Sequence, residues 1–410
     1  MIIKDPLKAF FEERTRLLGD QQPFEGGEHL WVGNEGARVA HESLELNVAD
    51  FGPFKRKSAS EMLSYGEIVA FSGDFYETPD DLFEEKPSPL PWLYQGNDLE
   101  DIRQAFLREV DWIRIPPTRR MSYPDANIAL WWNAKRFVEL ALKNTPHYGW
   151  HNAVMFARWH QAALELAEQA AAESDETKKS LIWRRAVFTN GFADHFLTDG
   201  FAAGHVRTPA GQIREWAEKQ EYNEKLAGAL LKLLHDQDGH VKELHGEATH
   251  RNGTEGLRVQ NARGDDWYTR CDGQMFLTGA DEPAVTQTVS AVAESVKQLL
   301  KVYHGGAIAP GVFPASSWIP WVHPLEPQII QKFPASLDKA GVERLFDSIQ
   351  WYVKMPGVSA GVRPRHIAAF LSALPSIMEA FRGTIRQESA DPLVKKRLDP
   401  RFIAAYQEIR

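Results

Sequence analysis

The chain has 410 residues, enough for two domains or one large domain with additions; 43% are hydrophobic and 25% charged, which excludes a disordered or fibrous class. A formal net charge of −9 argues against nucleic acid as the main partner, because tracking a phosphate backbone needs a basic surface; a small anionic group held by a metal remains compatible. The single cysteine, Cys271, excludes an intramolecular disulfide, so the fold requires no oxidising compartment.

The first residues, "MIIKDPLKAFFEERTRLL", are charged throughout and lack the apolar run of a Sec-type signal peptide. No uncharged stretch reaches the roughly 18 residues of a transmembrane helix. The expectation is a soluble chain, cytoplasmic or exported without a Sec signal. "ARVAHESLEL" (37–46) puts His41 at the start of a helical pattern, and "YGEIVAFSGDFY" (65–76) puts Asp74 at the end of an apolar run. Residues 77–97, rich in proline and acid, read as a surface insertion. "NTPHYGWH" (144–151) presents His147 and His151 just ahead of a long helix.

Apolar residues at three- and four-residue spacing predict helices over 153–173 and 178–197, separated by the polar break "ESDETK", and again over 212–235 and 284–303. Strand-like alternation is scarce, so the expected class is mainly α and multi-helical. "LLHDQDGHVKELHGEATH" packs four histidines (235, 240, 245 and 250) among acids; "DQDG" lacks the closing glutamate of a calcium loop. After "YHGG" (303–306), five prolines in nineteen residues break the helical pattern, which returns over 335–410. The domain boundary is placed there, giving 1–305 and a C-terminal extension, 306–410.

The stretch "HFLTDGFAAGH" (195–205) raises the functional question. It reads as one buried helix, yet it carries His195, Asp199 and His205. An uncompensated buried polar group costs roughly 2–7 kcal/mol on transfer scales, and no Lys or Arg lies between 186 and 206 to neutralise the carboxylate. Histidine and aspartate at i and i+4 share a helix face and can share one ion. His205, nearly three turns on, suits a second ion. The plainer alternative is a hydrogen-bonded His195–Asp199 pair with His205 capping the helix end.

"AVFTNGFADHFLTDGFAAGH" resembles the central helix of the zinc-dependent bacterial phospholipases C, whose superfamily also holds fungal single-strand nucleases; His195, Asp199 and His205 match its H-x3-D-x5-H motif in type and spacing. Ordered landmarks extend over roughly 25–305, since His41, Asp74 and His147 occur in the order in which the family draws a histidine, an aspartate and a histidine. His147 precedes the motif by 48 residues and matches better than His151.

The resemblance implies two or three zinc ions. Asp74, His147, His195 and Asp199 would hold the first; Asp199 would bridge to a second, held also by His41; His205, His235 and Asp238 would hold a third. The sequence departs from the family in three ways. The given sequence starts "MIIKDP" rather than with tryptophan, so either processing exposes Trp31, ten residues before His41, or another group replaces it, His29 being the nearest. The H-x3-E after the motif is missing, which leaves His235 with Asp238, preferred because they end a predicted helix, or His240 with Glu243. The usual proline of the x5 segment is Ala203.

The implied activity is phospholipase C hydrolysis of phosphatidylcholine to diacylglycerol and phosphocholine at a membrane surface. Asp74 is the positional candidate for the base that orients water. "WYTRCDGQMF" (267–276) and "HYGWH" offer aromatic faces for a choline group. The alternatives are a single-strand nuclease and a non-catalytic zinc-stapled binding module. The Trp- and Pro-rich segment 312–324 is a candidate for lipid contact or for domain packing.

Overall fold

The computed structural model describes residues 26–47, 51–57, 61–84, 98–116, 119, 140, 145–238, 256–271, 274–276, 279–350 and 361–410. The fold is mainly α, as the helical periodicity predicts: fifteen α-helices and five short strands among the described residues. In chain order the first helices are α1 (Gly26–Ser43), α2 (Tyr65–Phe71), α3 (Pro79–Glu84) and α4 (Asp98–Arg114). The central ones are α5 (Trp150–Ala172), α6 (Glu176–Asp199), α7 (Ala203–Arg207), α8 (Ala210–Lys219), α9 (Glu224–Asp238) and α10 (Pro283–Tyr303). Five more follow: α11 (Ile329–Lys332), α12 (Lys339–Ser348), α13 (Pro364–Glu388), α14 (Pro392–Arg397) and α15 (Pro400–Gln407). No described helix is long and apolar enough to cross a membrane.

Helix α6 is the axis of the molecule. Asp175 starts it, its side chain accepting from the backbone N–H groups of Thr177 and Lys178, a cap worth about 1 kcal/mol. From Ala186 to Asp199 every residue is buried, so the second half is enclosed on all sides and its polar groups need partners inside the protein. Tyr65 donates to Asp194 at 2.5 Å, Asn190 donates to Tyr65 and Ser295, and the Asn190 side-chain oxygen meets His160 at 2.7 Å. Burial pushes the Asp194 carboxyl up to about 8. This network ties α6 to α2, α5 and α10.

Helix α2 opens with a capping box: Ser64 accepts from Glu67 N–H, and the Glu67 carboxylate accepts from Ser64 N–H at 2.7 Å. The capped turn sets where α2 ends, and hence where Gly73 and Asp74 emerge. The helix predicted over 212–235 is two, α8 and α9. The break falls at Glu221, whose φ of 58° interrupts a helix; Asn223 then caps α9 by accepting from Leu226 N–H.

Strands β3 (Leu257–Gln260) and β4 (Asp266–Thr269) form an antiparallel hairpin, and β5 (Trp321–Val322) adds to the free side of β3 with Val259 opposite Val322. The remaining pair, β1 (Phe54–Lys55) with β2 (Met62–Leu63), is antiparallel and two residues long. Strand β5 therefore carries the proline-rich segment as an edge, where missing N–H groups cost least. Phe313 packs against His160 at 4.7 Å, and Trp321 lies 6.5 Å from Phe402. The aromatic part of 312–324 is thus largely core packing.

One continuous hydrophobic cluster runs from Leu30 to Ile409, across the position near 306. C-terminal helices brace the chain around the candidate site. Trp150 donates to Glu388 at 2.8 Å, and Tyr406 donates to the carbonyl of Val206 at 2.6 Å. Arg207, fully buried, donates to the carbonyls of Pro327 and Arg410.

Candidate metal centre

Two groups of His and Asp in the described residues could hold a metal ion: His147, His195 and Asp199, and His29, Asp74 and His195. Within each, the ligand atoms lie within 4.8 Å of one another. They come from α1, the turn after α2, the 3-10 turn Thr145–His147, and the end of α6. All are buried except Asp74, which is half-buried.

The separations are shortest in the first group, and His29 approaches the other Asp199 oxygen. His147 Nδ1 lies 2.8 Å from Asp199 Oδ2, His195 Nε2 lies 3.7 Å from the same oxygen, and the two ring nitrogens are 3.1 Å apart. His29 Nε2 lies 3.4 Å from Asp199 Oδ1. Four ligands at tetrahedral bond lengths of about 2.0–2.2 Å stand about 3.3–3.6 Å from one another. Despite these short separations, neither Asp199 oxygen makes a hydrogen bond of proper geometry among the described residues.

The backbone fixes how His195 faces the cluster. His195 Nδ1 lies 3.1 Å from the carbonyl of Val69, which can only accept. The ring therefore donates there and presents a bare Nε2 to the cluster. Burial holds the His195 pKa well below the usual histidine value, with His29 and His147 adding to the effect against the pull of Asp199. Burial opposes the Asp199 charge, yet His195, His147 and His29 hold its carboxyl well below the usual range.

Gly73 makes the convergence possible. It sits at φ +70°, and a Cβ there would lie 2.5 Å from His195 Cδ2 and 2.6 Å from His147 Cε1. The backbone passes against both rings and delivers Asp74 beside them. Burial, and the nearby charge of Asp199, raise the Asp74 pKa, while His147 opposes the shift. A raised pKa makes a carboxylate a better proton acceptor.

A second histidine pair adjoins the first. The stretch 195–205 is not one helix: α6 ends at Asp199, Gly200 caps it, and α7 begins at Ala203, whose N–H donates to the carbonyl of Arg270. His205 thus sits on its own short helix, its ring 4.9 Å from that of His235. His205 Nδ1 donates to the carbonyl of His147 at 2.7 Å, and His235 Nδ1 to Asp236 at 2.8 Å. Both bonds place the ring proton on Nδ1, in the way oxygen partners orient metal-binding histidines. Gly204 packs flat on the His235 ring.

Two residues of the expected ligand set stand elsewhere. His41 Nδ1 lies 2.7 Å from the carbonyl of Ala37, and its ring packs 4.5 Å from Phe51. His29 and His41 are twelve residues apart on α1, about 18 Å along the axis and about 120° around it. One ion cannot reach both, and His29, the nearest substitute for the tryptophan and not a member of the expected ligand set, is the one in the cluster. Asp238 is held by Arg207, with Nη2–Oδ1 2.6 Å and Nε–Oδ2 2.7 Å, and by Lys332. His151, the alternative to His147, turns toward Glu388. The alternatives His240 and Glu243 lie outside the described residues.

The Asp238 pair carries its own expectation. Burial opposes the Asp238 charge, but Arg207 and Lys332 hold its pKa down at about 2. Asp238→Asn should cost about 3–5 kcal/mol, the usual penalty for stranding a buried cation, while zinc content stays at the wild-type level. The sign of the pH effect follows from the depressed pKa. The contribution is complete above the unfolded value of about 4 and disappears as pH falls toward 2. Denaturant unfolding with elemental analysis checks both parts; lost zinc would return Asp238 to the ligand set.

A cleft of about 620 Å³ opens beside α1, lined by Trp31, Arg38, Phe51, Tyr65 and Arg103 among others, and includes no residue of the metal groups. Arg38 is paired with Glu35 and Glu42, and Arg103 with Glu67. No protein-family model, curated protein or solved structure matches this chain.

Proposed function

We propose that this chain is a zinc-dependent phosphodiesterase of the phospholipase C type, cleaving phosphatidylcholine to diacylglycerol and phosphocholine. One observation carries the reading: His29, His147 and His195 converge with Asp74 and Asp199, whose two buried oxygens lack a hydrogen-bond partner of proper geometry among the described residues. The H-x3-D-x5-H spacing of His195, Asp199 and His205 supports the zinc phospholipase C resemblance.

His147, His195 and Asp199 would hold one ion, with the second Asp199 oxygen turned to His29. His205 and His235 would contribute to a further site. When bound, zinc supplies a Lewis acid for the phosphate and a water acidified toward neutral pH. Asp74, the one half-buried member, would accept the proton of the attacking water and pass it to the glycerol oxygen as the bond from that oxygen to phosphorus breaks.

The choice of lipid rests on charge. A polyanion is repelled by a chain of net charge −9, whereas a zwitterionic head group is not. Trp267 lies in the core 6.3 Å from Phe201, so the "WYTRCDGQMF" aromatic is packing rather than a choline cage. Half-buried Tyr148 of "HYGWH", stacked on His205 at 4.6 Å, is an aromatic beside the site.

The test offers phosphatidylcholine dispersions and single-stranded RNA, side by side, to zinc-loaded protein. Phosphocholine release with intact RNA is expected, and a chelator should stop the reaction and lower the melting temperature. RNA cleavage without lipid cleavage would favour the nuclease, and no cleavage of either would favour a zinc-stapled binding module. Undiminished lipid hydrolysis by metal-free protein would remove the scheme altogether.

A further inference from the structure

We propose that Thr198 is a positioning residue for the metal centre: its hydroxyl locks His29 in the tautomer that presents Nε2 to the ion. The inference rests on the metal-site reading above and concerns a residue that is not itself a ligand. Thr198 is buried on α6, one position before Asp199. Its Oγ1 lies 2.8 Å from the carbonyl oxygens of Asp194 and of His195, and 2.7 Å from His29 Nδ1.

A threonine hydroxyl has one proton, and inside a helix it donates it back to the carbonyl three or four residues earlier. Both such carbonyls are in place here, and neither can donate. The Thr198 oxygen therefore has only lone pairs left for His29, and the ring must supply the proton from Nδ1. Its Nε2 is then bare and stands 3.4 Å from Asp199 Oδ1. A single helix thus carries two ligands and the group that orients a third from 169 residues away in the chain.

The arrangement has a chemical consequence. Were the Nδ1 partner a donor, His29 would carry its proton on Nε2 and point N–H at the ion. Oxygen partners of this kind typically change metal affinity by about 10–100-fold.

Zinc affinity is measured by chelator competition on metal-stripped wild type, Thr198→Val, Thr198→Ser, His29→Ala and the Thr198→Val/His29→Ala double variant. Thr198→Val should weaken the same zinc step that His29→Ala removes, by about 10–100-fold. Thr198→Ser, which keeps the oxygen, should restore it. The double variant should bind no worse than His29→Ala alone, because the two changes act through one ligand. Independently of any variant at 198, the nitrogen resonances of His29 in metal-free, 15N-histidine-labelled wild type should show Nδ1 protonated and Nε2 bare.

A His29 ring protonated at Nε2 overturns the inference. So does a Thr198→Val protein that binds zinc as wild type does, or one whose loss adds in full to that of His29→Ala. Wild-type protein that takes up no zinc overturns this inference together with the metal reading, which separates the two failures.

Discussion

Asp199→Asn is expected to lose zinc and hydrolytic activity together while the metal-free fold survives. Asparagine keeps the shape of the side chain but removes a charge that faces His147 at 2.8 Å, His29 at 3.4 Å and His195 at 3.7 Å. A four-ligand structural zinc site is worth about 10–16 kcal/mol, so one ligand accounts for roughly a quarter, or ~3 kcal/mol. At 1.4 kcal/mol for each factor of ten, affinity should fall on the order of 100-fold, and further if Asp199 serves two ions. Thermal denaturation supplies the decisive comparison. Wild type at zinc concentrations about 1,000 times its dissociation constant gains about 4 kcal/mol over metal-free protein, and the variant, then at about ten times its own constant, should gain only about 1.4 kcal/mol. A variant with the full zinc-dependent rise in melting temperature would show that Asp199 is not a ligand.

Gly73→Ala should be nearly as damaging, although it adds one carbon and removes no polar group. Two costs combine at this position. The left-handed conformation at φ +70° costs a non-glycine residue roughly 1–2 kcal/mol. The added Cβ, 2.5 Å from His195 and 2.6 Å from His147, must also push aside at least one of the two rings. Neither ring yields easily, since His195 belongs to the fully enclosed half of α6 and His147 is pinned through its carbonyl by His205. Overpacking of this kind adds about 1–3 kcal/mol. Zinc affinity should drop by at least the roughly 10–100-fold seen when ligand orientation is lost. Chelator competition and denaturant unfolding of the same protein measure the two effects. Wild-type zinc affinity in Gly73→Ala would mean that the rings do not meet where this turn passes.

The effects of both substitutions depend on how rigidly the site is framed. Helices α13 and α15 hold Trp150 and Val206, the neighbours of the two histidine-bearing turns, through Glu388 and Tyr406. The chain beyond 306 therefore contributes to the support of the centre, although its sequence carries no metal-binding pattern.

The sequence by itself determined the helical class and the pairing of His195 with Asp199. Both follow from local geometry: residues three and four apart share a helix face wherever the helix ends up. The absence of Lys and Arg between 186 and 206 likewise marked Asp199 as a carboxylate with no cationic side chain near it in sequence. What the sequence left open was every choice that depends on where a second segment arrives. His29 and His41 lie on one helical pattern, and only the packing of α1 against the end of α6 decides that His29 enters the centre. His147 and His151 differ by one helical turn, and the site takes the one ahead of α5 because α13 draws the other toward Glu388. Gly200 ends α6 and starts His205 on a new axis, a break that apolar periodicity running through "FAAGH" conceals. Asp238 is claimed by Arg207 from α7 and Lys332 from α11, partners 31 and 94 residues distant. Periodicity records which side chains share a face of one element; convergence of several elements on a point is a property of their packing, and only the tertiary structure holds it.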